Sequence, residues 1–450
     1  MVGTPMANDS GPRPNVIFIL SDDQGPWAAG CYGNAEIRTP NLDRLAAEGV
    51  VFDRFFCASP VCSPARASLL TGRIPSQHGI HQWLHHENMG PGARQLLADE
   101  VAYTDVLARH GYTCGLSGKW HMGDSLHPQH GFDYWYAHQQ GGGPYYNAPM
   151  IRDGVPVVEP RYVTDAITDE ALTFLDRHHG SPFCLYVGYT APHSPWGPEH
   201  HPAHLLASYD DCPFATCPQE PRHPWAISLT DHCLGNREML KGYFAAVTAM
   251  DAGIGRLLDR VETLDIRQNT LVVFASDNGF SCGHHGFWGK GNGTHPRNMY
   301  ENSVRVPFIC SGPEATVGRC SALVSAYDFM PTLLDYLGLP LPEDRNLPGQ
   351  SFLPLLRGEP QSGREQVVIY DEYGPVRMIR TDEWKYVHRY EVGPPELYNL
   401  CNDPEERENL ADLPSRAARV RELRGEMEEW FGRYAVPQHD GLNEHDVREG

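Results

Sequence analysis

Residues 16–23 read VIFILSDD, five apolar residues followed by a serine and two aspartates. A run that is apolar on both faces is typical of a central strand in a covered, largely parallel sheet. A second stretch, residues 271–278, reads LVVFASDN and ends in nearly the same way. Because ligands bind beyond the carboxyl ends of strands in open α/β sheets, we expect both polar ends at one edge of the sheet.

The two strand ends together offer four oxygen-bearing side chains, those of Asp22, Asp23, Asp277 and Asn278. Three carboxylates in one cluster would repel one another without a cation, and hard oxygen ligands favour Ca²⁺ or Mg²⁺ over zinc. Either pair alone could simply cap the next helix or turn. Because the two pairs match, we favour a metal site.

Strand patterns that alternate with helical patterns predict an α/β fold. The predicted strands are 16–20, 113–116, 183–189, 271–275 and 306–310. The predicted helices are 39–48, 164–177 and 238–258. Beyond residue 364, the pattern predicts three short antiparallel strands and a helix, at 367–370, 376–380, 384–388 and 415–434. We therefore expect a large, mostly parallel sheet sandwiched by helices, and a smaller C-terminal subdomain of antiparallel sheet plus helix.

Four segments follow from these patterns. They are an N-terminal extension (1–14), a catalytic domain (15–364), a C-terminal α+β subdomain (365–437) and a polar tail (438–450). The first ten residues have no basic n-region and no apolar h-region, and no apolar run is as long as a membrane span. We expect a cytoplasmic, bacterial protein without a membrane partner, in which the twelve cysteines are mostly reduced and buried.

The formal net charge of the 450-residue chain is −21. No basic face is visible, and phosphate contacts need lysine and arginine, so the charge argues against a nucleic-acid partner. It argues more weakly against polyanionic polymers as substrates. Part of the negative charge can be neutralised by a bound cation.

Two further predicted strands run into polar loops at the same edge of the sheet. Residues 113–116 lead to Lys119 and His121, and residues 183–189 lead to His193. Lys119 could bind an anionic ester, and either histidine could act as acid or base near neutral pH. A single histidine could equally be a surface or hydrogen-bonded residue. The shared location of the two favours a role in catalysis.

Residues 58–73 read ASPVCSPARASLLTGR. Pro64 suits the first turn of a helix and Gly72 suits its end. This places Cys62 at or just before a helix N-terminus, where the helix dipole and free N–H groups favour anions. Arg66 follows one helical turn later and can reach back toward Cys62. From these residues alone, Cys62 could be a thiolate nucleophile or a packed apolar residue.

The run from Cys62 to Arg66 matches the Cys-x-Pro-x-Arg signature, and the chain resembles the type I sulfatases of the alkaline-phosphatase superfamily. Further runs that resemble family landmarks follow in order: GKWH (118–121), APH (191–193), SDNG (276–279), HGFWGKG (285–291), YDFMPT (327–332), LYNL (397–400) and DP (403–404). An ordered set of this length is not expected by chance. The resemblance implies an alkaline-phosphatase-like fold.

The resemblance also implies a modified residue and a metal. In the family, a separate formylglycine-generating enzyme oxidises the signature cysteine to formylglycine (3-oxoalanine), here Cys62. One Ca²⁺ per chain would be bound by Asp22, Asp23, Cys62, Asp277 and Asn278. The hydrated aldehyde would attack sulfur with one hydroxyl, and its second hydroxyl would allow sulfate to leave.

The resemblance assigns the remaining roles to side chains near that centre. Arg66 would stabilise the hydrated aldehyde. Lys119 and Lys290 would hold the sulfate oxygens. His121 would contact the nucleophile, and His193 would assist departure of the alcohol. The implied activity is hydrolysis of sulfate monoesters, with a sulfated carbohydrate or an aryl sulfate as substrate.

Three alternatives differ from this interpretation in identifiable residues. Phosphonate monoester and phosphodiester hydrolases of the superfamily replace the second carboxylate of the first pair and carry Asp-His in place of Asp-Asn, whereas Asp23 and Asn278 match sulfatases. A zinc phosphatase needs several histidine ligands. A non-enzymatic binding module is disfavoured because every catalytic position is filled.

Two features concern the region around the pocket. Residues 200–233 are rich in cysteine and histidine, which could indicate a structural zinc site, although the spacing fits a loop insertion beside the pocket better. Aromatic and histidine-rich loops at 81–86, 134–146 and 196–201 are expected to line the pocket. The oligomeric state is not readable from these patterns.

Overall fold

The computed structural model describes residues 13–343, 345–359, 363–370 and 375–445. The predicted extension 1–14 and tail 438–450 therefore lie partly outside the described residues. The strands are β1 (Asn15–Ser21), β2 (Val50–Phe56), β3 (Thr113–Lys119), β4 (Phe132–His138), β5 (Ala148–Arg152), β6 (Val155–Glu159), β7 (Phe183–Gly188), β8 (Thr270–Ser276), β9 (Ser281–Cys282), β10 (Trp288–Gly289), β11 (Arg305–Ser311), β12 (Gly318–Cys320), β13 (Val324–Ser325), β14 (Gln366–Tyr370), β15 (Val376–Thr381), β16 (Trp384–Arg389) and β17 (Glu396–Asn399).

The helices alternate with these strands over most of the chain. They are α1 (Pro40–Ala47), α2 (Cys62–Thr71), α3 (Pro75–His78), α4 (Tyr103–Arg109), α5 (Val163–His178), α6 (Ala203–Ala207), α7 (Ser228–Cys233), α8 (Arg237–Thr263), α9 (Glu301–Val304), α10 (Phe329–Tyr336), α11 (Leu353–Leu356) and α12 (Ala417–Tyr434). In the described ranges, no helix is both long and apolar enough to cross a bilayer.

The main sheet has the order β12-β2-β11-β8-β1-β7-β3-β4-β5-β6, and β13 pairs with β2. Its centre, β8-β1-β7-β3-β4, is parallel throughout. The strand β11 runs antiparallel to both β8 and β2, and the hairpin of β5 and β6 is antiparallel too. The predicted fold class is confirmed: a mostly parallel sheet carries antiparallel strands toward both edges.

The strand β1 shows why this sheet is covered on both faces. Successive side chains of a strand point to opposite faces. Val16, Phe18 and Leu20 enter one hydrophobic cluster, which α2, α4 and α10 cover. Ile17 and Ile19 enter the other cluster, which α1, α5 and α8 cover. A fully apolar strand is therefore buried on both of its faces. Each buried large aliphatic side chain contributes roughly 1.5–3 kcal/mol to the stability of the fold.

The C-terminal subdomain consists of an antiparallel sheet in the order β14-β15-β16-β17 and the helix α12. The antiparallel sheet and the helix were predicted, but the fourth strand, β17, was not. Leu423, Met427 and Phe431 recur every four residues of α12 and are buried against this sheet. The first residues of the predicted polar tail contact the catalytic domain, since the Gly441 N–H donates to Ser76 Oγ at 3.2 Å. The segment boundaries stay predictions.

All twelve cysteines lie in the described ranges, and none of them forms a disulfide. Most are buried, which agrees with the prediction that they act as small apolar residues.

Candidate active site

The parallel pairing of β1 and β8 places the two predicted acidic strand ends side by side. Ser21 and Ser276 are register partners at the ends of these strands. The next residues, Asp22 and Asp277, therefore leave the sheet together, and both are 0% exposed. The backbone N–H of Asp23 donates to Asp277 Oδ1 at 3.2 Å, which ties the two turns to each other.

These strand ends form a buried cluster of oxygen atoms that fits a hard cation. One carboxylate oxygen each from Asp22, Asp23 and Asp277 lies within 4.8 Å of the others. The Asn278 Nδ2 donates to Asp23 Oδ1 at 2.7 Å. Its Oδ1 is buried and accepts no hydrogen bond from any described residue. A buried amide oxygen without a donor, beside three carboxylates, is the donor set that Ca²⁺ or Mg²⁺ prefers.

Three cationic side chains surround the carboxylates. Arg66 Nε donates to Asp277 Oδ2 at 2.9 Å, Lys290 Nζ donates to Asp23 Oδ1 at 2.6 Å, and Lys119 Nζ contacts Asp22 Oδ2. Burial alone would raise the pKa of Asp22, but the charges of Lys119 and Arg66 hold it well below its ordinary value. Burial and the neighbouring charge of Asp22 raise the pKa of Asp277 to about 6.

Cys62 is the first residue of α2, which ends at Gly72 in the left-handed conformation, as expected from the sequence. Its Sγ accepts from Lys290 Nζ at 2.9 Å and lies 3.4 Å from Asp22 Oδ1. Burial and the charge of Asp22 raise the pKa of the Cys62 thiol to about 12. A thiolate at neutral pH is therefore disfavoured here, and so is the thiolate-nucleophile alternative.

His121 is a buried histidine near this cluster. Its Nε2 donates to the Leu84 carbonyl at 2.9 Å, while Nδ1 is buried and has no hydrogen-bond partner in the described part of the chain. Burial and the charge of Lys119 hold the pKa of His121 well below its ordinary value, so the ring is neutral. Its φ of 58° is the left-handed conformation that non-glycine residues rarely adopt.

His193 lies beside Asp23. Its Nδ1 donates to the Ser194 carbonyl at 2.9 Å, and its Nε2 is 3.8 Å from Asp23 Oδ2. The Tyr145 hydroxyl donates to the His193 carbonyl at 2.8 Å and holds this loop. Burial lowers the pKa of His193. The structure thus brings together all the residues that the sequence analysis proposed for the site.

A cleft of about 720 Å³ opens above these residues. Of the three loops predicted to line it, each contributes only a part. The lining residues from these loops are Trp83, Leu84 and His85, then Gln140 to Gly143, then Trp196. The region 134–138, predicted as part of a pocket loop, instead forms most of β4.

The glycines at 141–143 belong to the loop 134–146 that was expected to line the pocket, but their packing on His121 and His193 was not predicted. They pack directly on the two histidines: a Cβ atom at Gly141 would lie 2.1 Å from His121 Cε1. A Cβ atom at Gly142 would lie 2.8 Å from His193 Cε1. Only glycine permits so close an approach. The run of three glycines was the available sign of this close packing, but a hydrophobic-periodicity pattern gives no information about glycines.

The cysteine- and histidine-rich region 200–233 borders the cleft through α7. Ser228, Leu229 and His232 of this helix line the cleft wall. Within the described residues, no group of three metal-ligating side chains clusters in this region. Cys217 and Cys233 pack instead in an apolar cluster with Trp288. The loop-insertion interpretation therefore fits better than a zinc site.

Comparison with known proteins gives the same picture. The family model "Sulfatase" matches residues 14–339, and the model "N-sulphoglucosamine sulphohydrolase, C-terminal" matches residues 283–432. The chain is 30% identical to N-acetylglucosamine-6-O-sulfatase of Bacteroides thetaiotaomicron, over 94% of this chain and 87% of that protein. It is also 30% identical to human arylsulfatase A, over 88% of this chain and 83% of that protein.

A solved structure of a protein in complex with its substrate, D-glucosamine-2-N,6-O-disulfate, is also similar. Its TM-score is 0.78 at 29% identity, over 94% of this chain and 98% of that chain. The match extends through both the large sheet and the C-terminal subdomain. The chain therefore belongs to the sulfatase family of the alkaline-phosphatase superfamily, and it is a hydrolase of sulfate esters.

Proposed function

We propose that this sulfatase cleaves a sulfated saccharide, with formylglycine made from Cys62 as the nucleophile and Ca²⁺ as the metal. The observation that carries the proposal is the position of Cys62 Sγ. It lies at a helix N-terminus, 2.9 Å from Lys290 Nζ and 3.4 Å from an Asp22 carboxylate oxygen. A group at this position faces both a sulfate-binding cation and a metal ligand.

The metal would be held by Asp22, Asp23, Asp277 and Asn278, together with the modified Cys62. The buried, unpaired Oδ1 of Asn278 supports this assignment. When bound, a divalent cation would offset part of the negative charge of the three carboxylates and polarise a sulfate oxygen, which stabilises negative charge in the transition state. We assign Ca²⁺ from the family resemblance and the all-oxygen donor set of the protein residues.

Conversion of Cys62 by a formylglycine-generating enzyme would solve a chemical problem at this position. The unmodified thiol has a pKa of about 12 and is not ionised at neutral pH. The hydrated aldehyde supplies one hydroxyl that attacks sulfur and a second whose deprotonation releases sulfate. Water then never has to attack the sulfur of an esterified enzyme.

The cationic side chains would bind the sulfate group. Lys119 and Lys290 are buried and point at the carboxylates next to Cys62, so they can hold sulfate oxygens there. Burial alone would lower the pKa of Lys290, but the Asp23 carboxylate holds it well above its ordinary value. Lys290 therefore stays charged. The Arg66 guanidinium is held by Asp277, and it can stabilise the hydrated aldehyde.

The two histidines would move the protons. His121 is neutral, and the hydrogen bond to the Leu84 carbonyl leaves its Nδ1 free to accept a proton from the nucleophile. His193 Nε2 lies 3.8 Å from Asp23 Oδ2, and once the ring is protonated on both nitrogens Nε2 can donate its proton to the departing alcohol. The general base and the general acid would thus be two different histidines of the same cleft.

The cleft supports a saccharide as the alcohol. Trp83, Trp196 and Phe280 give it aromatic faces, and His232 and Asn292 add polar groups at its wall. Aromatic surfaces with a few hydrogen-bonding groups suit sugar rings, and they also fit aryl alcohols. Because one similar protein is an N-acetylglucosamine-6-O-sulfatase, we favour an amino-sugar sulfate over an aryl sulfate.

The decisive test is peptide mass spectrometry of the tryptic fragment 55–66 from protein made in its native host. We expect the mass loss of CH₂SH becoming CHO at Cys62, with Cys57 in the same fragment unchanged. Only unmodified Cys62 in an active preparation would refute the proposal. A Cys62→Ser variant should lack multiple-turnover activity, and full turnover by this variant would refute the mechanism.

Substrate class is tested separately with a panel of esters. We expect amino-sugar sulfates to be hydrolysed with the highest kcat/KM, followed by aryl sulfates and then by phosphate and phosphonate esters. Preference for phosphonate monoesters or phosphodiesters would favour the alternative hydrolase of the superfamily. The predicted cytoplasmic location remains a proposal that cell fractionation can test.

A further inference from the structure

We infer that the C-terminal subdomain positions the sulfate-binding Lys290, with Asn298 as the connecting residue and Lys385 and Arg389 of β16 as its supports. The inference rests on the proposed role of Lys290. It adds three positioning residues, none of which lines the cleft or contacts Cys62. All three are buried, at 1% exposure for Asn298, 0% for Lys385 and 5% for Arg389.

The first step of the connection joins Asn298 to the backbone of Lys290. The Asn298 Nδ2 donates to the Lys290 carbonyl at 2.9 Å and to the Gly291 carbonyl at 3.2 Å. The backbone N–H of Asn298 donates to the same Gly291 carbonyl at 3.1 Å. Asn298 Oδ1 accepts from Ser303 Oγ at 2.7 Å, which fixes the orientation of the amide.

The second step joins the neighbours of Asn298 to β16. Arg389 donates from Nε and Nη2 to the Arg297 carbonyl, at 2.9 and 2.7 Å. Lys385 Nζ donates to the Met299 carbonyl at 2.7 Å. The residues before and after Asn298 are therefore both held by cations of one strand in the C-terminal sheet.

The cations of β16 are themselves held in place by acids. Lys385 Nζ lies 2.6 Å from Glu406 Oε1 and 2.9 Å from Glu301 Oε1, and all three side chains are buried. Arg389 Nη2 lies 3.2 Å from Glu396 Oε1. Buried charges with partners on several sides have little freedom to move, because leaving a partner unpaired is costly.

Lys290 needs such support for two reasons. The segment from Lys290 to Asn298 contains Gly291 and Gly293, and within it only a short 3-10 turn at Gly291–Gly293 is regular. A lysine side chain has several rotatable bonds, so its Nζ position depends on a fixed backbone. A misplacement of about 1 Å at a sulfate-binding group can cost on the order of 100-fold in rate.

The test is a double-mutant cycle on kcat/KM for a sulfate ester, with Asn298→Ala, Lys290→Ala and the double variant. If Asn298 acts through Lys290, Asn298→Ala lowers kcat/KM roughly 10- to 100-fold in the parent protein. In the Lys290→Ala background the same change should cost less than about twofold. The Ki of inorganic sulfate should rise with Asn298→Ala only while Lys290 is present.

The outcomes separate this inference from the proposed function. An equal loss of kcat/KM in both backgrounds would make Asn298 a structural residue only and overturn the inference. Full activity of Lys290→Ala alone would overturn the proposed role of Lys290, and with it the inference that rests on that role. Arg389→Lys keeps the charge but loses the paired hydrogen bonds of Arg389 to the Arg297 carbonyl. If Asn298→Ala does not fold, Arg389→Lys takes its place in the double-mutant cycle with Lys290→Ala.

A matched control keeps the global effect of lost hydrogen bonds apart from the positioning effect. Asn409→Ala removes another asparagine of the C-terminal region, one that accepts from the Leu397 N–H at 3.0 Å and whose other hydrogen bonds join it to Pro395 and Ala411. Its thermal stability can fall, but kcat/KM should stay within about twofold of the parent. A loss as large as that of Asn298→Ala would contradict the proposed specificity of the connection.

Discussion

At the scale of single residues, the site depends on two residues whose backbone adopts the left-handed conformation. Asp23 has a φ of 64° and His121 a φ of 58°. Residues in this region carry strain that the surroundings must hold in place, and such strain clusters at functional sites. For His121, the surroundings include the Leu84 carbonyl and the backbone of Gly141.

The close approach of Gly141 gives a prediction at this scale. Gly141→Ala would place a methyl group 2.1 Å from His121 Cε1, so the ring or the loop must shift. We expect kcat/KM to fall by roughly 10- to 100-fold, because the proposed base loses its alignment. Steady-state kinetics with one sulfate ester measures the effect.

The matched control for this variant is Gly180→Ala. A Cβ atom there meets no heavy atom within 4 Å, and the residue precedes β7, whereas His193 follows that strand. We expect unchanged kinetics for this control. Wild-type activity of Gly141→Ala would show that the glycine loop moves freely and does not align His121.

At the scale of secondary-structure elements, the ends of β1 and β8 form one unit. Each strand delivers an acidic pair, and their parallel pairing puts the carboxylates together. Like charges at this distance oppose folding unless cations compensate them. Three buried cations and a metal can do so, which couples metal binding to the stability of the sheet edge.

Metal removal therefore gives a prediction at this scale. We expect a chelator to abolish activity and to lower the Tm, since a ligand that binds only the folded state stabilises it by about 2.7 kcal/mol at 100 times its Kd. Differential scanning fluorimetry with stepwise Ca²⁺ addition should restore both. A chelated protein with unchanged Tm and full activity would refute the metal site.

The prediction of elements succeeded where the apolar run of a strand is continuous, and it failed where the run is absent or interrupted. The strands β1, β3, β7 and β8 were predicted because their apolar runs are continuous. In β6, Val155 and Val158 are 58% and 67% exposed, so the strand carries no buried-run signal. In β2, Asp53 and Arg54 interrupt the apolar run. Such strands form because a neighbouring strand supplies hydrogen bonds.

At the scale of the whole molecule, many histidines are buried in neutral form. Burial lowers the pKa of His201 to about 4, and it also lowers that of His284 to about 4. In the unfolded chain a histidine titrates near about 6.5. Below that value the unfolded state binds protons that the folded state does not, so each such histidine reduces stability as the pH falls.

His201 allows a direct test of this effect. It lies between the Tyr162 hydroxyl and the Pro195 carbonyl, each at 3.1 Å. Between pH 7.5 and pH 5.0, the parent should lose about 2 kcal/mol more unfolding free energy than His201→Gln does. Urea unfolding at both pH values measures the difference. The exposed His204, changed to Gln, serves as the control, and an equal shift there would refute the assignment.

The net charge of −21 gives a second prediction at this scale. It should slow the approach of a polysulfated oligosaccharide more than that of a monosulfated sugar. Raising the NaCl concentration from about 10 to about 150 mM shortens the screening length from roughly 30 to 8 Å. The kcat/KM for the polysulfated oligosaccharide, divided by that for the monosulfated sugar, should therefore rise. A falling ratio would instead indicate a cationic subsite for a second sulfate.

What the amino-acid sequence alone established is local: the fully buried strands, the matched acidic strand ends, the Cys62 signature and hence the fold class and family. These depend on residues close together in the chain, where periodicity and motif spacing can be read. The antiparallel direction of β11, the packing of Gly141 on His121 and the hydrogen bonds from Arg389 to the Arg297 carbonyl were decided only by the tertiary structure. They join residues far apart in sequence, and their contacts exist only once the order of the sheet brings those residues together.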